Sequence, residues 1–597
     1  MGNSQGQPKG QPKGFGDPVA TMWVLRVKDF LELEEMLSHE ELRRRGLLVA
    51  SSPGHFCIFI SHQWLGERHP DPSCQQLPVL QEAFRSLLEG RCTPFVDLAS
   101  QFFGEDYRFT AQHRQRLKSG YLWLDWFSIP QDKKKLRGDE VTKVTSQEVM
   151  VSMPSFRNVS SMTNQDLYIS SIPCYVEASD VFLSLVPIAY HHDTGSICNF
   201  RTYLSRGWCR LELWCSHLCA KSKFERPFLV VKSRDEMDLA TSMIASDMPP
   251  AEGEFTIESD RNVIFHVMRR ALRSRIDFLK RQQKWDMYRY MLARYETLLG
   301  VAKPQRDLEQ FLKDFCFKSL EDAKSLVGFG PLECAILSSN DAMIPFLAHS
   351  GFPMERTVQA KMGGIMKGRT PLDFALLWAW RHPEVLASLL QCRADATRPN
   401  KFGFLPIGAC KTPEAVDLLI QYRANVRQTC PPLYMPAIAQ ACLQNVPGSV
   451  VARLLLLRAQ VDPEERGVGQ HALCNLGLFS AWNVHCLDTA KILVAARANV
   501  NLQCRAQGPM WLVELISRAR MRLSSQCTPL VRWRAEWTAT PLGYACFVGA
   551  AEFADFLLSA RADPELKNAR GHSAHDLAKG HSVLEILSSH QEDTISI

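Results

Sequence analysis

Glu212 is the residue whose type and surroundings point most directly to chemistry. It lies in the stretch Arg206–Leu213, at the margin of an apolar stripe whose helical spacing would face a core. The stripe consists of Trp208, Leu211, Cys215 and Leu218. Near the start of a helix, the helix dipole favours the ionised form of a carboxylate. Glu212 is therefore either an ordinary charge on the flank of a helix or the single acid of an active site.

Four short apolar runs supply the elements that would position Glu212. They span residues 56–60, 121–124, 181–186 and 227–231, and helical patterns occur at 76–89, 109–118, 164–178 and 207–220. Strands that are apolar on both faces and alternate with helices predict a parallel sheet covered on each side. Ligands of such sheets bind beyond the carboxyl ends of the strands. The polar residues after the runs then form one rim near the Glu212 helix: Ser61, His62, Gln63, Asp125 and Trp126.

Each of these polar residues also has a structural interpretation. His62 is either a strand-end histidine bonded to backbone or a catalytic residue. Asp125 either organises the loop after its strand or is a second catalytic carboxylate. A further group is close in sequence: Cys209, Cys215, His217 and Cys219. Ligands on one helix need more ligands from elsewhere, so we expect core packing for this group and no metal site.

Composition limits the class of protein. At 597 residues the chain is too long for one core, which predicts about two to four folding units. The net charge of +6 is spread along the chain, which argues against nucleic acid as a partner because phosphate binding needs clustered Lys and Arg. The sequence predicts no transmembrane segment and no secretory leader. Its 19 scattered Cys favour reduced thiols in a cytoplasmic protein.

Residues 1–20, rich in Gly, Gln, Pro and Lys, predict a disordered tail. Gly2 is placed as N-myristoylation requires, whereas Gly6 stands where the motif has Ser or Thr. A plain flexible tail and a lipid-anchored one that contacts a membrane are the two alternatives. A lead-in helix is expected over 21–50.

Residues 51–275 resemble a known family in the order and spacing of their motifs. The matching segments are 59–62, 122–125 with the polar loop 133–138, 179–187 and 208–213. They are similar to the motifs of Toll/interleukin-1 receptor (TIR) domains, and 122–131 is also similar to the related fungal heterokaryon-incompatibility domains. The resemblance implies an α/β, flavodoxin-like parallel sheet, here with insertions near 91–108 and 139–163.

The resemblance implies two branches of function. Many TIR domains are adaptors that bind one another through the sheet edge and the loop after the second strand. Others cleave NAD between nicotinamide and ribose, with a glutamate at the position matched here by Glu212. Nicotinamide in NAD is already a cation and leaves neutral, so one carboxylate that stabilises the oxocarbenium-like transition state is sufficient. In this branch NAD is the substrate, no cofactor is required, and Ser61, His62, Asp125 and Trp208 would bind it.

Beyond residue 320 the sequence repeats itself. A helix end followed by Arg-Ala recurs at steps of 30, 35, 39 and 64 residues, beginning at Arg393, Arg423, Arg458, Arg497 and Arg561. Thr370-Pro371-Leu372 and Thr540-Pro541-Leu542 open units, with Thr as the helix cap and Pro where no N–H donor is needed. This is the ankyrin pattern, so we predict a degenerate α-helical ankyrin solenoid at 320–597, with about six or seven repeats and an insertion at 503–537.

A basic helical pattern over 260–300 is predicted to complete the first domain and to continue as a helical linker at 276–319. A membrane surface and a calmodulin-like partner are the alternatives for it. The array is expected to bind a protein partner, the alternative being a spacer. The sequence therefore predicts a cytoplasmic signalling or scaffold protein whose TIR-like domain is an effector or self-association module. The alternative function is an NAD glycohydrolase with Glu212 as its catalytic residue.

Overall fold

The computed structural model describes residues 15–102, 107–131, 164–219, 226–241, 247–359, 368–431, 433–462, 470–480, 483–506, 509–524 and 527–595. The chain divides into two compact units, one within Met1–Pro94 and Tyr107–Gln282, the other within Phe95–Asp106 and Gln283–Ile597. Gly2, the loop 133–138 and the insertion 139–163 lie outside the described residues, and what was predicted for them stays a prediction.

The first unit is built on a mixed β-sheet. Its strands are β1 (Trp23–Arg26), β2 (Leu48–Ala50), β3 (Cys57–His62), β4 (Tyr121–Leu124), β5 (Val181–Leu185), β6 (Ala189–Tyr190), β7 (Ile197–Cys198), β8 (Phe228–Val231) and β9 (Met237–Leu239). Within this unit the strands of the main sheet follow the order β2-β1-β4-β3-β5-β8-β9, and β6 pairs with β7 separately.

The four predicted apolar runs correspond to β3, β4, β5 and β8, and these strands all run parallel. They are buried along almost their whole length, as strands covered on both faces must be. The existence and common direction of these four strands are confirmed. The sheet is not parallel throughout, because β1, β2 and β9 are antiparallel to their neighbours. Strands of three or four residues are too short to show a clear period in the sequence.

Helices accompany the strands at the predicted places. The helices of this unit are Val27–Phe30, His39–Arg44, Leu77–Glu89, Ala111–Leu117, Asp125–Ser128, Asn164–Ala178, Phe200–Ser205, Gly207–Leu218 and Asp260–Arg281, with a 3-10 turn at Pro250–Glu252. The four helical patterns near the apolar runs are thereby confirmed. Gly207–Leu218, which we call the Glu212 helix, packs against Asn164–Ala178 and Asp260–Arg281.

The N-terminal segment differs from its prediction. Residues 21–50 hold β1, β2 and two short helices in place of one lead-in helix. The run is divided because Trp23, Val24 and Leu25 pair with β2 as a strand. Residues 15–20 were expected to belong to the disordered tail, yet Phe15 is 6% exposed and its N–H donates to Glu177 Oε2 at 2.7 Å. Phe15 has the apolar area to bury that the Gly, Gln, Pro and Lys of the tail lack.

The second unit is a stack of helix pairs. Its described residues hold seven in succession: Pro331–Leu337 with Met343–His349, Pro371–Trp378 with Pro383–Gln391, the 3-10 helix Pro406–Ala409 with Pro413–Gln421, Ala437–Leu443 with Gly448–Leu456, Ala472–Phe479 with Cys486–Ala495, Pro541–Val548 with Ala551–Ser559, and Ala574–Leu577 with His581–Ile595. First helices of consecutive pairs pack on one another, and so do second helices. This is the packing of a solenoid, and the predicted helical array is confirmed.

The repeated sequence motifs have the predicted local roles. Asp373 N–H donates to Thr370 Oγ1 at 3.2 Å, and Gly543 N–H donates to Thr540 Oγ1 at 3.0 Å. Pro371 opens its helix in the first turn, as Pro541 does in its own pair. Threonine caps followed by proline are therefore confirmed at both units.

The Arg-Ala recurrences mark the ends of the second helices. Their arginines all have φ between 65° and 71°, the left-handed conformation; they are Arg393, Arg423, Arg458, Arg497 and Arg561. After Arg458, for example, Ala459 N–H donates to Leu454 O at 3.0 Å. This is the helix C-terminal motif in which glycine is the usual residue. An arginine there carries a small backbone strain that glycine would not.

The insertion 503–537 leaves the stack unbroken. It contains the helices Pro509–Leu523 and Pro529–Ala535, yet the pairs on either side of it pack directly through Ala472–Phe479 and Pro541–Val548. Gly477 allows this approach, because a Cβ at that position would lie 2.7 Å from the carbonyl oxygen of Pro541.

A cluster of aromatic residues attaches the insertion to the array. Trp533 of the insertion is buried together with Trp537 and Tyr544. Leu98, from the short helix Leu98–Phe102, joins the same cluster, and Leu530 N–H donates to Gln101 Oε1 at 2.9 Å. Part of the insertion predicted at 91–108 therefore belongs to the second unit.

The segment 276–319 is shared between the units. The helix Asp260–Arg281 belongs to the first, whereas Trp285–Ala293, Tyr295–Leu299 and Leu308–Asp314 belong to the second, as does Leu320–Lys324. The long helical pattern is interrupted at Gln283, which has a φ of 54°. None of the helices within the described ranges combines the length and apolar composition that a membrane span requires.

Candidate functional site

The strand register brings the polar strand ends together. Ser61 of β3 lies beside Ser184 of β5, and Ile60 lies beside Leu124 of β4, which Asp125 follows. Successive residues of a strand point to opposite faces of the sheet, so Ser61 and His62 belong to different clusters. We name them the Glu212 cluster (Ser61, Ser184, Tyr203 and Glu212) and the His62 cluster (His62, Trp64, Gln76 and Asp125).

The Glu212 cluster is a directed chain of hydrogen bonds. Ser61 Oγ donates to Glu212 Oε2 at 2.5 Å. When Glu212 is ionised, Ser61 gives it its one proton, and Tyr203 OH then donates to Ser61 Oγ, 2.6 Å away. Ser184 Oγ in turn donates to Tyr203 OH at 2.8 Å. Three hydroxyl groups therefore point toward the carboxyl group of Glu212, and each bond polarises the next in this buried setting.

Burial determines the charge of Glu212. The residue is 9% exposed and lies in the middle of its twelve-residue helix, with no acid in the first turn. The helix dipole acts mainly within the first turn, so the expectation that it favours the ionised form is wrong. Burial raises the pKa of Glu212 to about 8, and the nearby charge of Asp125 acts in the same direction. At pH 7 the carboxyl group is therefore mostly protonated.

His62 lies between two acceptors. Its Nε2 is 3.0 Å from Asp125 Oδ1, and its Nδ1 is 2.8 Å from Gln76 Oε1. The amide nitrogen of Gln76 donates to Gln63 O at 2.7 Å, which leaves the amide oxygen for the histidine. Burial lowers the pKa of His62, but Asp125 and the two hydrogen bonds outweigh burial, and the net pKa is raised. The arrangement suits the imidazolium form, which donates from both ring nitrogens.

Asp125 is held by several donors besides His62. Trp64 Nε1 donates to its Oδ2 at 2.8 Å, and Trp126 N–H donates to its Oδ1 at 2.7 Å. Burial raises the pKa of Asp125, but His62 and these donors overcome burial and keep the pKa below its usual value. The carboxylate thus fixes the chain at the end of β4, as a loop-organising acid does.

The indole N–H of Trp208 forms its hydrogen bond with a residue outside both clusters. Its Nε1 donates to Asp260 Oδ2 at 2.9 Å, at the start of the helix Asp260–Arg281. Of the residues that the sequence singled out, the structure therefore joins Ser61 to Glu212 and His62 to Asp125, whereas the indole N–H of Trp208 is bound elsewhere.

Sequence reasoning missed Ser184, Tyr203 and Gln76. Ser184 could have been identified from the sequence, because it is the one polar residue in the apolar run 181–186. Buried hydroxyls of this kind need a partner and therefore point to a network. Tyr203 and Gln76 lie in segments without a distinctive pattern, and only the fold reveals their roles.

The cysteines near Glu212 are part of the core. Cys209, Cys215 and Cys219 are at most 4% exposed. Burial holds the pKa of Cys209 and of Cys215 well above its usual value, so these thiols stay protonated. Within the described ranges, no group of three or more His, Cys, Asp or Glu is arranged to hold a metal ion.

The array contains a cavity of about 350 Å³ between its second and third helix pairs. We call it the groove cavity. Its lining is mainly apolar and includes Leu376, Ala379, Trp380, Leu386, Ala415 and Leu418. Polar groups also line it, among them Glu414, which is exposed, and Asp417, which pairs with Arg453 at 2.7 Å. A cavity of this size and character can take a large apolar side chain of another molecule.

Comparison with known proteins finds solved ankyrin repeat domains that are similar to this chain, and no family. No family model and no curated protein matches this sequence. The human ASB11 ankyrin repeat domain is similar at 20% identity with a TM-score of 0.30, over 44% of this chain and 97% of that one. The ankyrin repeat domain of Bcl-3, a unique member of the IkappaB protein family, is similar at 17% identity with a TM-score of 0.28, over 43% and 97%.

These TM-scores are too low for the likeness to add weight of its own. The assignment of the second unit as an ankyrin-type array depends on its seven helix pairs, on the Thr-Pro caps and on the repeated Arg-Ala helix ends.

Proposed function

We propose that this protein is a signalling scaffold whose ankyrin-type array binds a protein partner. The observation that carries the proposal is the groove cavity, because interfaces anchor a large side chain in such an apolar pocket. Solenoids of helix pairs present extended surfaces on which a partner makes further contacts. None of the 19 cysteines, all of which lie within the described ranges, forms a disulfide, which supports a reducing, cytoplasmic location.

The lining of the groove cavity indicates the chemistry of the partner. Leu386, Leu418 and Trp380 offer apolar and aromatic contact area, which suits a Leu, Met or Phe side chain. Glu414 is exposed beside them and would attract a basic residue next to that anchor. The partner segment is therefore proposed to carry one large apolar residue with a basic residue beside it.

The first unit is proposed to be the effector or self-association module, with a TIR-like, flavodoxin-like fold. Its parallel strands β4, β3, β5 and β8 are the second, first, third and fourth of the predicted runs. This is the order with which flavodoxin-like sheets begin. An exposed edge of such a sheet is a natural place for two copies to meet.

Affinity capture with the full chain tests the scaffold proposal. Ala415→Trp places a large ring in the groove cavity, whereas Ala569→Trp puts the same ring on an exposed loop. We expect a partner captured by the wild type to bind Ala415→Trp at least about tenfold more weakly and Ala569→Trp equally well. If both variants capture the same proteins as the wild type with equal affinity, the groove cavity is not the binding site.

NAD glycohydrolase activity of the first unit is the second candidate. The hydrogen bond between Ser61 and Glu212 lies at the carboxyl end of the parallel strands. Ligands of such sheets bind at that end, so its position favours NAD glycohydrolase activity. The chemistry needs an anionic glutamate, and the pKa of Glu212 is about 8. Nicotinamide release by the full chain is therefore expected to rise between about pH 6 and pH 9 and to vanish in Glu212→Gln. Release that Glu212→Gln leaves unchanged would exclude Glu212 as the catalyst.

A further inference from the structure

The helix Pro509–Leu523 of the insertion exposes a row of large apolar side chains. Trp511 is 59% exposed, Leu512 52%, Leu515 48%, Ile516 58% and Leu523 88%. Single exposed apolar residues are normal, but a contiguous group of this size on one helix marks a contact surface. We call these five residues the exposed apolar face.

The opposite side of the same helix is fixed to the array. Glu514 and Ser517 are each 6% exposed, and Met510 packs against the cluster that contains Trp533. Arg518 forms an ion pair with Glu514. The helix is therefore held in place with its apolar face outward, and exposure of that face is not the result of a loose segment.

Arginines flank the exposed apolar face. At about 100° per residue, its five members fall within an arc of about 140°, with Arg520 beyond one edge and Arg518 beyond the other. Arg522 falls within the arc, near the C-terminal end of the helix, and both Arg520 and Arg522 are exposed. Glu514 is the only acid in the helix, and it is buried and paired. The surface that meets this face must therefore be apolar at its centre and negatively charged where Arg520 and Arg522 lie.

We propose that the exposed apolar face docks onto an anionic lipid surface. Leu512, Leu515 and Ile516 would enter the boundary between headgroups and acyl chains. Trp511 suits that boundary, because its ring is apolar and its N–H is polar. Arg520 and Arg522 would meet lipid phosphates and carboxylates at the level of the headgroups. The array would then bind its partner next to a membrane.

The geometry favours a lipid surface over another protein. A helix-binding protein offers an apolar groove, and Arg522, which falls within the arc, would have to be buried in it, whereas at a lipid surface its charge stays at the level of the headgroups. A second copy of this chain would bring two positively charged faces together. A face of 15 residues is also only about 22 Å long, so two of them bury less than the roughly 1,200 Å² of a standard specific interface.

Co-sedimentation with vesicles tests the proposal. The full chain, prepared without an N-terminal acyl chain, is mixed with vesicles of phosphatidylcholine alone or with about one third phosphatidylserine. We expect at least about tenfold stronger binding to the anionic vesicles. Leu515→Glu should reduce this binding to the level seen with phosphatidylcholine. The pair Arg520→Gln and Arg522→Gln should weaken it roughly twenty- to thirty-fold.

A matched control distinguishes binding through this face from nonspecific binding by any exposed apolar residue. Leu456→Glu changes another apolar residue that is 75% exposed, on the helix Gly448–Leu456, and should bind vesicles as the wild type does. Both Glu variants should melt at the wild-type temperature, because both positions are exposed. The proposal is overturned if the wild type ignores anionic vesicles, or if Leu515→Glu binds them as well as the wild type. A change of oligomeric mass in Leu515→Glu without a change in vesicle binding would assign the face to a second copy.

Discussion

The two units differ in how the sequence encodes the residues that define their structures. In the array, one local solution recurs: a Thr-Pro start opens helices, and a left-handed arginine ends them at five places. In the first unit, each special residue occurs once and meets a partner far along the chain, as Ser61 meets Glu212 across 151 positions. Recurrent local geometry is visible in a sequence as a period, whereas a single long-range cluster becomes visible only in the fold.

Comparison of the two units also distinguishes residues that stabilise the fold from residues that are able to bind a partner. The Glu212 cluster is buried, its three hydroxyl groups are hydrogen-bonded to one another and to Glu212, and its acid is mostly protonated at pH 7. The groove cavity of the array is lined by apolar groups that have room for another side chain. We therefore assign recognition to the array and regard the Glu212 cluster first as part of the core, with catalysis as the second candidate.

The largest effect is expected for Glu212→Gln. The folded pKa of about 8 lies above the unfolded value of about 4.5, so the free energy of unfolding falls as pH rises between them. At about 1.4 kcal/mol per pKa unit, that window corresponds to on the order of 5 kcal/mol. Glutamine keeps an oxygen for Ser61 and has no proton to lose. We expect the variant to match the wild type near pH 5 and to be more stable by that amount near pH 9.

Scanning calorimetry of the full chain at these two pH values measures the difference in the transition of the first unit. Glu32→Gln, at an exposed acid, is the control and should show no gap that grows with pH. A Glu212→Gln advantage that is equal at both pH values would contradict a raised pKa.

The next largest effect is expected for Asp125→Asn. The difference in stability between this variant and the wild type should shrink as pH rises, whereas the difference for Glu212→Gln should grow. The folded pKa of His62 is raised, so its pairing with Asp125 stabilises fully below the unfolded pKa near 6.5 and is lost as pH rises through the folded value. Asparagine removes the charge and keeps one acceptor oxygen, which can still serve Trp126 N–H and His62, whereas its amide nitrogen replaces the oxygen that accepts from Trp64 Nε1. We expect a loss of about 2–3 kcal/mol near pH 6 and a smaller loss near pH 9, measured by urea unfolding. The same loss at both pH values would show that His62 is not charged in the pair.

In the array, Gly477→Ala tests the close approach of two first helices. The added Cβ would meet the backbone oxygen of Pro541 at 2.7 Å, so the helices must move apart. We expect a loss of about 2 kcal/mol in the free energy of unfolding. Gly448→Ala is the matched control, because the one close contact of its Cβ is with the end of the Ile492 side chain, which can turn away, and its backbone contacts are at ordinary distances. Equal losses in the two variants would indicate an effect of alanine itself.

The smallest effect is expected for Arg458→Gly. Arg458 has a φ of 65°, which glycine adopts without strain. The strain of an L-residue there is about 1 kcal/mol, partly offset by the flexibility of glycine in the unfolded chain. We expect a gain of roughly 0.5 kcal/mol for Arg458→Gly and a loss of about 1 kcal/mol for Arg458→Val in thermal unfolding. Equal stability of the two variants would argue against the left-handed conformation.

These differences explain how much the sequence could predict. The four parallel strands were predictable because each is a continuous apolar run, and the array was predictable from its period. The edge strands β2 and β9 were not, since three residues are too few for a pattern. At the candidate site, Ser61, His62, Asp125 and Glu212 could be named from their positions after strands and on a helix. Their pairing, and the neutral state of Glu212, depend on burial that no local pattern records.

One measurement of partner affinity tests most directly whether the partner binds the array or depends on the Glu212 cluster of the first unit. The partner captured by the wild-type chain is titrated against the wild type, Ala415→Trp and Glu212→Gln. We expect at least about a tenfold weaker affinity for Ala415→Trp and an unchanged affinity for Glu212→Gln. The reverse result, with affinity lost in Glu212→Gln and kept in Ala415→Trp, would contradict the assignment of recognition to the array.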